Sequence, residues 1–198
     1  MELTNIRSHR IRWSALLARG ALVGLVSAAV MLVLACLLYP LLADGESVWT
    51  FPNVVSSSVL GDDAASPLGT FEATPVLVGL LLHFAIGAIA GATYAFLIAM
   101  FDLEGWTPVA LFGLLYGAML FVWSAALVGA GFGGAAIQDL PLIVMFWGNL
   151  VFGLTAGMLL ATWADRADLD QVESERVARF EDGRDRARDP ARGRRVVH

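Results

Sequence analysis

The residues whose types suggest chemistry are His83 and Asn149, two polar side chains inside long apolar stretches. His83 stands in the segment LLLHFAIGAIAGATY, residues 80–94. A polar group among apolar neighbours is costly to bury unless it is hydrogen-bonded, so such a residue needs a partner or a function. An imidazole in this position could ligate haem, contact a quinone or relay protons. It could equally be a packing residue that hydrogen-bonds to a neighbouring helix.

Most of that chemistry needs partners that the sequence does not offer. Haem held by two histidines would need a second buried histidine, and the other two, His9 and His198, stand near the ends of the chain. Proton relays inside a membrane usually include a carboxylate, and none occurs in the apolar stretches. A packing role is therefore the preferred interpretation of His83 and Asn149. Their expected hydrogen-bond partners are each other or one of four further polar residues: Tyr94, Tyr116, Thr93 and Ser124.

Two acidic residues, Glu72 and Asp139, do not by themselves indicate a catalytic site. Glu72 and Asp139 each stand shortly before a proline, and they could form an acidic rim at an outer mouth. They could also simply lie at helix N-termini, where the helix dipole favours negative charge.

The pattern Gly129-x-Gly131-x-x-Gly134 resembles the dinucleotide fingerprint but lacks the strand that must precede it. The chain is therefore not expected to be an enzyme, and no cofactor or metal is expected.

The elements that must position these residues are membrane helices. Of the 198 residues, 58% are hydrophobic and only 16% are charged, whereas soluble domains carry about 25% charged residues. Four stretches contain no Asp, Glu, Lys or Arg, and each is long enough for a bilayer span of about 20 residues: 20–43, 73–101, 105–138 and 140–164. Because lipid cannot satisfy open backbone groups, the composition predicts an all-α membrane protein.

The predicted transmembrane domain covers residues 14–163 and follows a polar start at 1–13. Its four spans are expected at 14–43, 75–101, 107–130 and 141–163. The residues between the second and third spans, DLEG, predict a tight turn. The charged tail, 164–198, is expected to be helical and then disordered, because its end is rich in charge and poor in apolar residues.

The outer loop, residues 44–74, is long enough to be structured. Its segment WTFPNVVSSSVLG, 49–61, fits a re-entrant half-helix with Trp49 and Phe51 at the level of the lipid headgroups. It also fits an ordered cap that lies over the end of the bundle, and this cap is the preferred interpretation.

The arginines predict the orientation. All basic residues are arginine; four lie at residues 7–19 and the others follow residue 165. None occurs in a connection between spans, so the positive-inside rule places both termini in the cytoplasm of a multi-pass plasma-membrane protein. The first apolar run is longer than the 7–15 residues, roughly, of a signal-peptide core, and we expect a retained anchor.

The chain contains an internal repeat with an offset of 66 residues. Pro75 and His83 correspond to Pro141 and Asn149, and glycines follow each polar residue at the same spacing. Each span carries a pair of small residues that lets helix backbones approach closely: Gly20 and Gly24, Gly87 and Gly91, Gly113 and Gly117, Gly153 and Gly157. We therefore predict two tandem helical hairpins of the same orientation, as parallel repeats in transporters have. Packing within the chain is preferred over a homodimer face.

The stretch 41–100 resembles a group of small, uncharacterised bacterial four-helix integral membrane proteins. These share a Trp and a Pro in the first outer loop, a Leu-Gly pair, a Pro-x-x-Phe element and a helix with an early His. The matching residues here are Trp49, Pro52, Leu60, Gly61, Pro67, Phe71 and His83. Phe71 comes one residue late, and serines replace the alanines of the family. The resemblance implies four helices in the bacterial inner membrane and implies no activity.

The sequence thus predicts a non-enzymatic membrane protein that acts in interaction, assembly or membrane homeostasis. Its expected partners are the lipid bilayer and either another membrane protein or further copies of the chain, and no nucleic acid. The alternative is a small oligomeric transporter or channel component, with a polar path near His83 and Asn149. A redox-linked subunit that uses His83 is a third hypothesis. A wet interior would favour transport, and a dry, glycine-packed interior would favour the first hypothesis.

Overall fold

The computed structural model describes residues 13–42, 47–65, 67, 69–131 and 141–163. The polar start, Asp139 and the charged tail lie outside these residues. The regular structure of the described part is helical. The helices in chain order are α1 (Trp13–Leu42), α2 (Thr50–Leu60), α3 (Asp62–Ala65), α4 (Ala73–Met100), α5 (Trp106–Gly129) and α6 (Leu142–Trp163).

Four helices, α1, α4, α5 and α6, are long and apolar enough to cross a membrane. Much of their apolar surface faces outward; the side chains of Leu41, Leu81 and Ile89, for example, are 78%, 71% and 68% exposed. Such a surface suits lipid, because a soluble protein rarely exposes large contiguous apolar patches. The prediction of an all-helical chain with four long apolar helices is confirmed. The ends of these helices differ from the predicted span ends by at most two residues.

Helix α1 packs against α4 through small residues. A Cβ atom added at Gly24 would overlap the backbone of Gly87, and one added at Gly20 would lie 2.7 Å from the carbonyl oxygen of Gly91. These positions leave no room for a side chain, so the two backbones touch directly. Close backbone approach of this kind supplies the van der Waals packing that holds membrane helices together.

Helix α5 packs against α6 in the same manner. A Cβ atom at Gly153 would lie 2.6 Å from the backbone nitrogen of Gly117, and one at Gly157 would lie 3.0 Å from Cα of Ala110. The two contacts differ in register. Gly24 lies against Gly87, whereas Gly117 lies against Asn149, which is equivalent to His83 in the repeat. Relative to the contact between α1 and α4, the contact between α5 and α6 is therefore displaced by four residues, or about one helical turn.

Helices α4 and α5 are joined by a tight turn, residues 101–105. Two residues of this turn have positive φ angles, Asp102 at 51° and Gly105 at 83°. Glycine adopts such angles readily because it has no Cβ atom. The turn brings α5 back antiparallel to α4, and this positions two tyrosines against each other across the pair.

Helix α2 lies along the side of α4. The carbonyl oxygen of Pro52 occupies the space beside Gly79, and the ring of Phe51 lies 5.4 Å from that of His83. His83 stands ten residues after Ala73, at roughly 15 Å along the helix axis. Helix α2 therefore packs against the first three turns of α4, and both interpretations of it, a re-entrant half-helix and a cap over the end of the bundle, stay predictions.

The two aromatic residues at the start of α2 have different environments. Trp49 is 39% exposed and packs edge-on against Phe71, as an interfacial residue would. Phe51 is only 6% exposed and belongs to a buried cluster with Ala35, Tyr39 and Val144. Phe51 is therefore a core residue that attaches α2 to the bundle and not an exposed aromatic anchor.

Candidate functional site

The described helices enclose a cavity of about 510 Å³. Residues from α1, α4, α5 and α6 line it, and three residues of α2 line it as well: Phe51, Val55 and Ser58. Small-molecule sites typically measure about 300–1,000 Å³ and combine apolar walls with a few polar groups. The polar side chains on this wall are Ser58, His83, Ser124 and Asn149. In size and lining, the cavity matches a ligand site.

The cavity reaches the lipid-facing surface between α4 and α5. Ile86 of α4 and Trp123 of α5 both line it, and they are 61% and 64% exposed. Its inner wall is formed by buried residues, among them Ala28 and Val144. An amphiphile that diffuses in the bilayer could therefore enter from the side, without passing through water.

His83 is fixed on the inner wall of the cavity. Its side chain is 9% exposed, and its Nε2 atom lies 2.9 Å from the carbonyl oxygen of Ala28 on α1. The ring also makes edge-to-face contacts with Phe51 and Phe84, at centroid distances of 5.4 and 5.7 Å. One hydrogen bond and two aromatic contacts thus hold the imidazole in a single orientation.

Asn149 lines the same cavity from α6 and is 8% exposed. Its Nδ2 atom donates a hydrogen bond of 2.8 Å to the carbonyl oxygen of Met145, within its own helix. The structure therefore brings His83 and Asn149 to one cavity but does not join them. Thr93 and Ser124 also donate to carbonyls of their own helices, those of Ile89 and Leu120.

Tyr94 and Tyr116 form a separate contact that does not belong to the cavity lining. The hydroxyl of Tyr94 on α4 donates to the carbonyl of Val109 on α5. The hydroxyl of Tyr116 on α5 donates to the carbonyl of Ala90 on α4, at 2.9 Å. The two rings lie 5.2 Å apart. This reciprocal arrangement joins α4 to α5.

Removal of the two hydroxyls tests this role. The double variant Tyr94→Phe, Tyr116→Phe keeps both rings but removes the two hydrogen bonds between α4 and α5. Hydrogen bonds between membrane helices contribute about 0.6 kcal/mol each, so we expect a loss of roughly 1 kcal/mol in an unfolding titration in mixed micelles. Ligand binding in the cavity is expected to persist, and its loss would mean that the tyrosines belong to the site.

The predicted acidic rim is present only in part in the described structure. Glu72 is exposed at the N-cap position of α4 and makes no side-chain capping bond. Asp139 lies outside the described residues, so the rim stays a prediction. In the residues that the structure describes, no group of three or more His, Cys, Asp or Glu side chains could hold a metal ion.

Several cavity residues were missed by the sequence analysis. Phe51 was assigned to the headgroup level, and Ser58 and Trp123 had no assignment. Trp123 is one of several aromatic residues of α5, and the serine that follows it does not by itself indicate a cavity. Phe51 and Ser58 line the same cavity as Trp123 because of where α2 packs, and α2 has no local motif that indicates this packing position.

Comparison of the chain with protein-family models, with curated proteins and with solved structures found no match. The fold itself defines the class: a multi-pass helical membrane protein by the length and composition of its four apolar helices. The described part of the chain also has a lateral cavity that a short helix, α2, helps to line.

Proposed function

We propose that this chain is a non-enzymatic membrane protein that binds one uncharged amphiphile from the bilayer and serves membrane homeostasis. The observation that carries the proposal is the cavity, which is mainly apolar and opens between two lipid-facing helices. A ligand would place its hydrocarbon part against apolar side chains such as Met31, Leu127 and Phe152. Its polar part would meet the few polar groups on the wall.

The lining argues for an uncharged ligand. None of the described residues on the cavity wall is Asp, Glu, Lys or Arg. A charged group inside the bilayer is costly unless it is paired with an opposite charge. A phosphate or ammonium headgroup would find no such partner on this wall, whereas an uncharged polar group would not need one.

We also propose how the four long helices are arranged and oriented in the membrane. The glycine contacts between α1 and α4 and between α5 and α6 support two tandem hairpins, with the cavity between them. The arginine distribution supports cytoplasmic termini, because no connection between spans carries a basic residue. In this orientation the cavity opens from the middle of the bilayer to its outer half.

The second candidate function is a transporter or channel component. It is favoured by one observation: His83 and Asn149, equivalent in the 66-residue repeat, line the same cavity. Thiol labelling distinguishes the two functions. If single cysteines near His83 and Asn149, in a Cys36→Ser background, react with an impermeant reagent, the cavity is wet and transport is favoured. If they stay unreactive, the amphiphile site is favoured.

A variant that fills the cavity tests the proposed function. We expect Ser124→Phe to abolish ligand binding, because the new ring occupies the space where the hydrocarbon part would lie. Within the described residues, the hydroxyl of Ser124 donates its one hydrogen bond to the carbonyl of Leu120 in its own helix, so its loss breaks no described hydrogen bond between helices. Val122→Phe is the matched control, because Val122 lies two residues away on α5 and is 64% exposed.

Native mass spectrometry of the purified full chain provides the measurement. The wild type and Val122→Phe should carry one lipid-sized uncharged molecule, and Ser124→Phe should lose it almost completely. A wild-type chain that carries no such molecule would contradict the proposal. Equal occupancy in all three chains would contradict it as well, because the bound molecule would then lie elsewhere.

A further inference from the structure

We infer that His83 selects the polar end of the ligand, and that the cavity takes a neutral amphiphile with a hydroxyl group. The inference rests on the proposed function, since it concerns the same cavity. It adds the chemical class of the ligand: a lipid alcohol or phenol whose O–H donates a hydrogen bond to Nδ1 of His83.

The first step is the position of the ring proton. The carbonyl oxygen of Ala28 can only accept a hydrogen bond, and it lies 2.9 Å from Nε2 of His83. Nε2 must therefore carry the hydrogen. A neutral imidazole has one N–H, so the other nitrogen, Nδ1, is an acceptor. The neutral ring is the form that apolar surroundings without a carboxylate favour.

The second step is that this acceptor is available. His83 lines the cavity, and within the described residues its one hydrogen bond is the one to Ala28. The side chain is more than nine-tenths buried, so water has little access to it. The contacts with Phe51 and Phe84 hold the ring in place. Nδ1 is thus a fixed acceptor that an incoming donor can satisfy.

The third step is depth. A helix of 28 residues is about 42 Å long, so a hydrocarbon core of roughly 30 Å centred on α4 would begin about 6 Å from its start. His83, roughly 15 Å from that start, would then lie about 9 Å inside the core. A phospholipid would have to bring its charged headgroup to this depth to reach the ring, and the cost of burying that charge opposes this. A hydroxyl carries no charge and gains a partner, so a lipid alcohol or phenol suits the site and a phospholipid does not.

A pair of probes isolates the hydroxyl. 1-Hexadecanol and its methyl ether have the same chain, but only the alcohol can donate a hydrogen bond. Native mass spectrometry of the full chain, released from nanodiscs that contain both compounds at equal mole fraction, gives the ratio of the two complexes. We expect the wild type to favour the alcohol by about three- to tenfold, the range that one net hydrogen bond provides.

Two variants assign this preference to the ring. His83→Phe keeps an aromatic ring in the wall but removes both nitrogens, so the ratio should fall to near one. Thr93→Val removes a polar group of α4 that does not line the cavity and should keep the wild-type ratio.

The outcomes separate the inference from the proposed function. Binding of both probes with no preference in the wild type would overturn the role of His83 and leave the cavity as a hydrocarbon site. A preference that persists in His83→Phe would overturn it too. Binding of neither probe would overturn the proposed function itself. The wild-type comparison needs no variant, so it stands even if His83→Phe does not fold.

Discussion

Replacement of Gly153 by alanine is expected to destabilise the folded chain by roughly 1–3 kcal/mol, the cost of overpacking a close contact. A Cβ atom there would meet only backbone: the carbonyl oxygen of Gly113 and the nitrogen and Cα of Gly117, the last two at 2.6 and 2.7 Å. Backbone atoms cannot rotate away as a side chain can. The two helices must therefore separate, and the packing that joins α5 to α6 is lost.

Gly148→Ala is the matched control on the same helix. The Cβ atom would meet the flexible end of Met31, whose Cε lies 3.1 Å away. In a helix, alanine is more favourable than glycine by up to about 1 kcal/mol. We therefore expect unchanged or slightly higher stability. The measurement is the midpoint of unfolding in mixed detergent micelles. Similar midpoints for Gly153→Ala and Gly148→Ala would show that α5 and α6 do not touch at Gly153.

Gly79→Leu is expected to separate α2 from α4 and to open the cavity. The Cβ atom would overlap the carbonyl group of Pro52, and a whole leucine side chain has no space there. Because α2 contributes Phe51, Val55 and Ser58 to the wall, ligand binding should be lost with it. Gly129→Leu is the control, because nothing lies within 4 Å of a Cβ atom at that position.

A cysteine at position 54 reports on this separation. Val54 is 1% exposed, so Val54→Cys in a Cys36→Ser background should react slowly with a membrane-impermeant thiol reagent. Addition of Gly79→Leu should raise the rate by an order of magnitude or more, and addition of Gly129→Leu should not change it. Equal labelling rates with Gly79→Leu and with Gly129→Leu would mean that α2 is not held in place by its contact with α4.

The long helices and their contacts could be predicted because their signals are local. Uncharged runs give the spans directly, and glycine pairs at a spacing of four mark the faces where helices touch. Gly24 and Gly153 both lie at such contacts in the structure. The turn at Gly105 followed from charged and small residues between two apolar runs. Each of these features depends on a few neighbouring residues.

The cavity and the partner of His83 could not be predicted, because both depend on tertiary packing. Polar side chains were the expected partners of His83, but its partner is the main-chain carbonyl of Ala28, 55 residues away. Every residue has such a carbonyl, so no pattern marks the one that is used. The burial of Phe51 could not be predicted for a related reason: an aromatic residue near a span end suits both an interface and a core.

The central claim is that an uncharged amphiphile occupies the cavity between α4 and α5. A crystal structure of the full chain grown from a lipid mesophase tests it most directly. We expect one elongated density that runs from the gap between Ile86 and Trp123 to Nδ1 of His83. A cavity that holds ordered water alone, or one that neighbouring side chains have closed, would contradict it.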